Sequence, residues 1–376
     1  MNSDYISSDT YLDDLNSHLR SRRGVRPSPE HFSPGSSTGT SSSPSYRLSP
    51  SIHHPHNVHY QHHLRHSQHH NPSGGDIESS SDAASSTLIN LVNLVTENVI
   101  VHPFLVVRRQ CQVTRISGNH HLTPFTVIPY IYKLQLRQGL GTLWRGLVSG
   151  LMAKGLFMFC RSGFAGALDC HENLLVEGLA VIAITPFFSS SAIELVQSPI
   201  ASETPNVVEF LREGLTRWSQ WSSTGSRLLP VWILFGPTAT YFLLHRMISS
   251  SVNYVYHWCL FKENDSKPVA GYRETASKIL SDLTAEVVLY PLTTVIFRLY
   301  LQGTRTIGDS IDTGNTVLPI ISNYEGAADC FSTIMREEGL AGAYKGFGSL
   351  ILQYSVHFAI ICLTKSILKK ILFGLK

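Results

Sequence analysis

The sequence predicts an all-α membrane protein with six transmembrane helices in three repeats, preceded by a disordered N-terminal tail. Of its 376 residues, 15% are charged, against about 25% in an average soluble protein. Six apolar stretches after residue 86 are each near the length that a bilayer requires. A proline and a later glycine-containing motif recur three times at corresponding places, which indicates internal repeats.

Residues 1–85 are predicted to be a disordered tail rich in serine, histidine and proline. Few of its residues could bury enough apolar surface to offset the entropy of the chain. Nine histidines lie between His53 and His70, with irregular spacing and no interleaved acidic or cysteine ligands. We interpret this tract as a low-complexity linker and predict no metal site in it.

The six apolar stretches carry polar residues on single helical faces. Glu97 in the first and Glu286 in the fifth belong to such polar stripes, which in lipid-facing helices turn toward other helices or a water-filled cavity. A soluble helical domain also has amphipathic helices, but it would not easily explain six of this length with so little charge. The stretches run over residues 88–113, 147–169, 174–198, 228–260, 278–302 and 347–373.

Three prolines divide the membrane part into repeats at residues 86–170, 171–262 and 263–376. Proline removes a backbone hydrogen bond and kinks a helix, which membrane bundles tolerate when neighbours satisfy the freed carbonyl. The kink prolines are Pro103, Pro186 and Pro291.

A motif follows each kink proline, as QGLGTLWRG in the first repeat and EGLAGAYKG in the third. The second repeat is degenerate and has only the shorter copy EGLTRW, residues 213–218. The motif residues are Gly139, Trp144, Arg145, Gly146, Gly339, Tyr344, Lys345 and Gly346.

This arrangement resembles the mitochondrial carrier family, solute carrier family 25. Its members have three repeats, each a kinked helix, a short surface helix and a second membrane helix. The resemblance covers residues 86–376, and residues 324–346 are the best copy of the family's second motif. Segments such as VTENVIVHPFLVVRRQCQV and LYPLTTVIFRLYLQGTRTI are similar to a divergent subgroup that lies in the outer mitochondrial membrane.

The resemblance also shows which charges are missing. In a transporting carrier, an acid two residues after the kink proline and a base five residues after it form ion pairs that close one end of the cavity. Only Arg108 keeps its charge here, with no acid left in the network to pair with it. Substrate binding has to tip such a network open during alternation, so we predict that the gating cycle is gone while the kinks and packing keep the fold. The degenerate gate positions are Leu105, Phe188 and Thr293 for the acids and Arg108, Ser191 and Ile296 for the bases.

Ionisable residues at membrane depth are costly, so each remaining one is a functional candidate. Lys154 and Arg161 share a helical face and could bind a lipid headgroup or a small anion. The alternative, which we favour, is structural pairing such as Glu97 with Lys154, which would satisfy buried charges. The possible cavity charges are Glu97, Lys154, Arg161, Glu194 and Glu286.

The chain has no motif typical of a hydrolase nucleophile, a phosphate loop or a zinc protease, so we predict no enzyme, no cofactor and no metal. A net charge of +3 without a basic stripe excludes nucleic acid as a partner. The free cysteines suit an intracellular protein.

The resemblance implies a multi-pass adaptor in the outer mitochondrial membrane, with the lipid bilayer around it. It would act in fusion and fission balance, cristae organisation and lipid supply. The implied partners are mitofusins, the inner-membrane dynamin-like GTPase, the cristae-organising complex and the endoplasmic-reticulum membrane complex. The alternative function is a transporter of an unidentified metabolite or lipid with a modified gate.

Overall fold

The computed structural model of the chain describes residues 87–115, 117–169, 173–200, 207–219, 228–260, 267–312 and 316–374. The chain forms two units, Met1–His70 and Asn71–Lys376, and every described residue belongs to the second. The predicted tail and its histidine tract therefore lie outside the described residues.

Helices form almost all of the described chain. The first repeat holds α1 (Thr87–Ile100), α2 (His102–Val113), α3 (Pro124–Gln138), a 3-10 turn (Leu140–Trp144) and α4 (Leu147–Leu168). The second holds α5 (Leu174–Val196), α6 (Val207–Ser219) and α7 (Val231–Leu260). The third holds α8 (Lys267–Val288), α9 (Tyr290–Leu301), β1 (Ile307–Asp309), β2 (Val317–Pro319), α10 (Ala327–Glu337), α11 (Gly339–Ala343) and α12 (Phe347–Gly374).

Three to five membrane spans are supported by length and composition in the described chain, fewer than the six predicted. Leu140–Leu168, Leu174–Val196 and Phe347–Leu368 are long and apolar enough alone. The bent pairs α1–α2 and α8–α9 raise the number to five if each is one span. The remaining predicted stretch, residues 228–260, forms α7, which is 30 residues long but is not among these candidates.

The predicted kinks appear in different forms. The chain bends by 40° between α1 and α2 and by 63° between α8 and α9, with Pro103 and Pro291 in the first turn of the second helix. A π-helical turn at Thr96–Ile100 precedes the first bend, and both proline and π-turns are known causes of kinks. Helix α5 instead continues through Pro186.

The aromatic residue of each motif satisfies a carbonyl near the proline of its own repeat. In the first and third repeats the proline lies four residues after that carbonyl and cannot donate to it, so a side-chain donor takes the place of the missing N–H. In the second repeat Pro186 lies three residues after the carbonyl, so the tryptophan there does not replace the N–H that the proline lacks. The motif and the bend therefore act together in the first and third repeats. The three hydrogen bonds are Trp144 Nε1 to Val99 O at 2.8 Å, Trp218 Nε1 to Ala183 O at 3.1 Å and Tyr344 OH to Val287 O at 3.4 Å.

The basic residue of each motif binds the carboxyl end of the kinked helix in the next repeat. Carbonyls in the last turn of a helix have no partner within it, and a cation there is favoured by the helix dipole. The three contacts run from repeat one to two, two to three and three to one, which closes a ring. They are Arg145 Nε to Leu195 O at 2.8 Å, Arg217 Nη1 to Tyr300 O at 3.4 Å and Lys345 Nζ to Thr114 O at 3.1 Å.

Two motif glycines let these ends approach closely. Gly146 has φ +67°, and a Cβ there would lie 2.8 Å from Leu195 Cα. Gly346 has φ +80°, and a Cβ there would lie 2.7 Å from Cys111 Cβ. Positive φ and the lack of space both favour glycine.

A β-hairpin after α9 is the one departure from the all-α prediction within the described residues. Strands β1 and β2 pair antiparallel, with Ile307 opposite Pro319 and Asp309 opposite Val317. Residues 313–315 between them lie outside the described residues. The sequence Asp-Thr-Gly between two short runs rich in β-branched residues is a hairpin signal that could have found it.

Two core clusters lie within the described residues. One joins the ends of α5, α7 and α9 to α10, with Val196, Leu234, Leu299 and Ile334 fully buried. The other joins α2 and α3 to the hairpin. Its buried members are Val107, Cys111, Val127, Tyr130, Leu134, Leu143 and Ile311.

Candidate functional site

The six degenerate gate positions, here called the gate level, lie on α2, α5 and α9. Ile296 belongs to the buried core, and Ser191 Oγ bonds the carbonyl of Phe188 in its own helix at 3.3 Å. Leu105 is half-buried. These side chains can fill space but cannot form the inter-repeat ion pairs of a gate.

The acid position of the second repeat has become part of an aromatic cluster. Phe188 stacks on Phe242 of α7, with ring centroids 5.4 Å apart and planes within 17°. Phe157 of α4 lies 6.3 Å from Phe188 and 5.8 Å from Phe242, both between ring centroids. Such aromatic pairs add attraction beyond the area that they bury, so packing has replaced charge here.

The acid position of the third repeat makes a neutral hydrogen bond to the first repeat. Gln112 Nε2 donates to Thr293 Oγ1 at 3.1 Å and to Thr294 Oγ1 at 3.2 Å. Arg298 Nε donates to the backbone carbonyl of Gln112 at 2.9 Å. At the acid position of the third repeat, amide and hydroxyl groups therefore take the place of an ion pair.

Arg108 does have a carboxylate partner, which lies outside the gate positions. Its Nη1 lies 3.3 Å from Glu286 Oε2, and the two side chains are 3% and 13% exposed. Tyr241 OH donates to the other oxygen of Glu286 at 2.9 Å. The cluster draws one residue from each repeat. It places Glu286, a predicted cavity charge, in a buried ion pair that sequence reasoning missed because 178 residues separate the partners.

The neighbouring Arg109, which the sequence analysis did not single out, is buried without a carboxylate contact among the described residues. Its guanidinium lies 3.9 Å from the ring centroid of Phe297, and its Nη1 donates to Gln112 Oε1 at 2.8 Å. A ring face can stabilise a cation that has lost water.

The other predicted cavity charges do not assemble into one site. Lys154 Nζ lies 4.0 Å from Glu97 Oε1, but the two side chains are 54% and 56% exposed. Arg161 forms no ion pair with any described residue. Glu194 lines a separate cavity of about 290 Å³ that also contacts Arg145. Lys154 and Glu97 therefore lie close enough for the predicted structural pair, but the pair is exposed and not buried.

Asp309 of the hairpin binds three side chains of the first repeat. Arg145 Nη1 donates to it at 2.7 Å, Gln110 Nε2 at 2.9 Å and Gln138 Nε2 at 2.8 Å. Burial alone would raise the pKa of this carboxyl, but the Arg145 charge and the hydrogen bonds outweigh it and hold the pKa below its usual 3.8. This residue was also missed, because it lies in a polar stretch that resembles an ordinary loop.

The motif of the third repeat contains another buried carboxylate. Glu338 Oε2 lies 2.5 Å from Lys345 Nζ, and Arg298 Nη2 donates to the same oxygen at 3.0 Å. Burial alone would raise the pKa of Glu338, but the hydrogen bonds and charges of Arg298 and Lys345 outweigh burial and hold the pKa below its usual 4.5.

No group of three or more histidine, cysteine or acidic side chains is placed to hold a metal ion within the described part of the chain. The five described cysteines are free, as predicted, and Cys170 lies outside the described residues. Cys330 is buried, which raises its pKa to about 12.

Comparisons with known proteins identify the family of the chain. The family described as mitochondrial carrier protein matches residues 271–376. The chain is 40% identical over 314 residues to mitochondrial outer membrane protein SLC25A46 of Gallus gallus, covering 76% of each chain. It is 37% identical over 333 residues to solute carrier family 25 member 46-A of Xenopus laevis, covering 79% of each. It is 36% identical over 333 residues to the Homo sapiens mitochondrial outer membrane protein SLC25A46, covering 80% of this chain and 79% of the relative.

Proposed function

This chain belongs to the mitochondrial carrier family, as a multi-pass outer-membrane protein similar to member 46, and on that premise we propose that it is an adaptor rather than an exchanger of solutes. It acts without catalysing a reaction. It would support fusion and fission balance, cristae organisation and lipid supply. The proposed partners are mitofusins, the inner-membrane dynamin-like GTPase, the cristae-organising complex and the endoplasmic-reticulum membrane complex.

The observation that carries this proposal is that no two gate positions form an ion pair with each other. Phe188 lies in an aromatic cluster, Thr293 bonds to an amide, and the one remaining base pairs with Glu286. A cycle that alternates needs two arrangements of similar free energy. The packed rings of Phe188 and the hydrogen bond of Thr293 contain no charges that could change partners between such arrangements. This favours a rigid scaffold.

Reconstitution into sealed liposomes tests this proposal directly. The purified protein is expected to give no saturable uptake with a panel of metabolites and phospholipids, whereas a transporting carrier in the same liposomes gives it. Saturable exchange by this protein would overturn the adaptor function.

A transporter is the second candidate, favoured by one observation: the Arg108–Glu286 pair still joins the first and third repeats. The double variant Arg108→Leu with Glu286→Leu separates the two functions. In cells that lack the protein, this variant is expected to restore mitochondrial shape if the protein is an adaptor. Failure to restore it, at a normal protein level, would favour a transporter that opens this pair.

We also propose that α7 is the sixth span. Trp232 and Trp258 are both exposed and lie 26 residues apart in sequence, which is roughly 39 Å along a helix, close to the 40–45 Å or so of a bilayer with its headgroups. Tryptophan is enriched at both membrane interfaces. Arg246 is one of the polar residues that lower the apolarity of α7, and its ion pair with Glu177 of α5 offsets the cost of placing its charge in a span.

Cysteine labelling on mitochondria tests the sixth span. The native Cys259 is exposed at one end of α7, and Trp232→Cys adds a thiol at the other end. With the other cysteines replaced, one thiol should react with a membrane-impermeant maleimide on intact mitochondria, and the other only after the outer membrane is opened. Labelling of both on intact mitochondria would exclude a span.

The partners are tested by proximity labelling. A biotin ligase fused to the chain on intact mitochondria is expected to label the fusion GTPases and the cristae-organising proteins. A transporting carrier with the same fusion is the matched control. Equal labelling by the two fusions would contradict these partners.

A further inference from the structure

The hairpin of the third repeat contacts both of the other repeats. Its Ile307 carbonyl accepts a hydrogen bond from Ser198 N at 2.8 Å, and Ile307 N donates to Gln197 Oε1 at 3.2 Å, both at the end of α5. On the other side, the Ile311 carbonyl lies 3.1 Å from His121 Nε2 of the first repeat. The Ile311 side chain is 1% exposed and belongs to the core cluster of α2 and α3.

Asp309 makes the strongest of these contacts. Its side chain is 1% exposed, and it binds Arg145, Gln110 and Gln138 as described above. Arg145 also caps α5 through Leu195 O, so one ion pair links the hairpin to two repeats. Hydrogen bonds to charged groups are the stronger kind, and a buried pair is costly to break by removing one partner.

The hairpin lies next to the gate level. Gln110, which binds Asp309, is two residues after Arg108 on α2, and Cys111 follows it in the cluster that includes Ile311. The C-terminal ends of α2, α5 and α9, which the basic motif residues cap, meet here.

We propose that this hairpin, residues 306–312 and 316–320, is a strap that holds this end of the bundle closed, with Asp309 as its anchor. Opening this end would require the repeats to separate. That would expose Ile311 and leave Asp309 and Arg145 without each other. The strap thus replaces the lost ion pairs with a closure that substrate binding has no means to release. This inference goes beyond the adaptor function, because it states how the scaffold is kept in one conformation.

The rate at which Cys111 is labelled measures how readily the strap opens. This thiol is fully buried beneath the hairpin, and the other five cysteines can be replaced in the full-length protein in liposomes. Asp309→Asn is expected to raise the rate of maleimide labelling of Cys111 by about tenfold or more, since each tenfold step corresponds to only about 1.4 kcal/mol.

Asp312→Asn is the matched control, since Asp312 is on the same hairpin but exposed, where it accepts from Asn119 N at 2.9 Å. Its labelling rate should stay within about twofold of the parent. Equal rates for the two variants would overturn the strap.

Hydrogen exchange on the unaltered protein gives a second measurement that does not depend on the folding of a variant. Ser310 N donates to Thr316 O at 2.8 Å and Ile320 N to Thr306 O at 2.9 Å. If the strap is part of the closed end, these amides exchange as slowly as those of α9. Exchange at the rate of an unprotected amide would overturn the proposal. Saturable transport would refute both the adaptor function and the strap, whereas fast exchange of these amides without transport would refute the strap alone.

Discussion

Arg108 and Glu286 form a buried ion pair between the first and third repeats, with 3.3 Å between Nη1 and Oε2. The base that remains at the gate level is therefore not free. It is bound to a carboxylate located before the kink of the third repeat, and Tyr241 of the second repeat donates to the same carboxylate. In this structure the charge stabilises one arrangement of three repeats.

Removing one partner of this pair should destabilise the fold strongly. Glu286→Gln leaves the Arg108 charge buried and unpaired, which costs about 3–5 kcal/mol. Replacing both residues with leucine should recover most of that loss. Lys154→Gln is the control, because its pair with Glu97 is half exposed and worth about 0–1 kcal/mol. Thermal unfolding in detergent measures all of these variants, and equal losses for Glu286→Gln and Lys154→Gln would contradict the prediction.

The hydrogen bond of Trp144 should matter only while Pro103 is present. Trp144→Phe removes the donor to Val99 O and should cost about 1 kcal/mol. In a Pro103→Ala background the alanine N–H can reach the same carbonyl, so the substitution should then cost much less. A double-mutant cycle of unfolding free energies checks this. A loss independent of residue 103 would mean that Trp144 acts through packing alone.

Gly146 should not tolerate a side chain. Gly146→Ala adds a Cβ 2.8 Å from Leu195 Cα at a residue with φ +67°, so we expect a loss of about 2 kcal/mol or more. Gly150→Ala, one turn further into α4, meets open space and should gain up to about 1 kcal/mol from helix propensity. The unfolding free energies of the two variants, measured under the same conditions, check this prediction. Equal losses would indicate a general sensitivity of this helix and not crowding at Gly146.

Stability should fall in acid through Glu338. The pKa of this carboxyl in the folded protein is lower than its usual 4.5, so the unfolded chain binds a proton first as the pH falls. The contribution of Glu338 is fully present above pH 4.5 and is lost as the pH drops through its lower folded pKa. Glu338→Gln should therefore reduce the acid dependence of the unfolding free energy below about pH 4.5. Glu337→Gln is the control, since its pair with Arg115 is exposed, and the same change in both variants would contradict this origin.

Much of the fold followed from local patterns. Apolar length located the membrane segments to within a few residues for α4 and α12, because a helix that crosses lipid must be apolar along its own length. Pro103 and Pro291 fixed the two sharp bends, because proline disturbs the helix in which it stands. The missing acids at Leu105 and Phe188 were visible for the same reason: they are identities at fixed distances from a proline.

The partners of the buried charges could not be predicted from local sequence patterns. Arg108 meets Glu286 across 178 positions, and Arg145 meets Asp309 across 164. Periodicity reports which face of a helix is buried, but it does not report which distant helix or loop covers that face. The packing of the three repeats against one another brings the capping residues to their carbonyls and Asp309 of the hairpin to Arg145. The amino-acid order thus set the helices, their kinks and the missing acids at the gate positions. Assembly of the bundle chose the ion pairs, because a buried charge is stabilised by whichever opposite charge the packing places beside it.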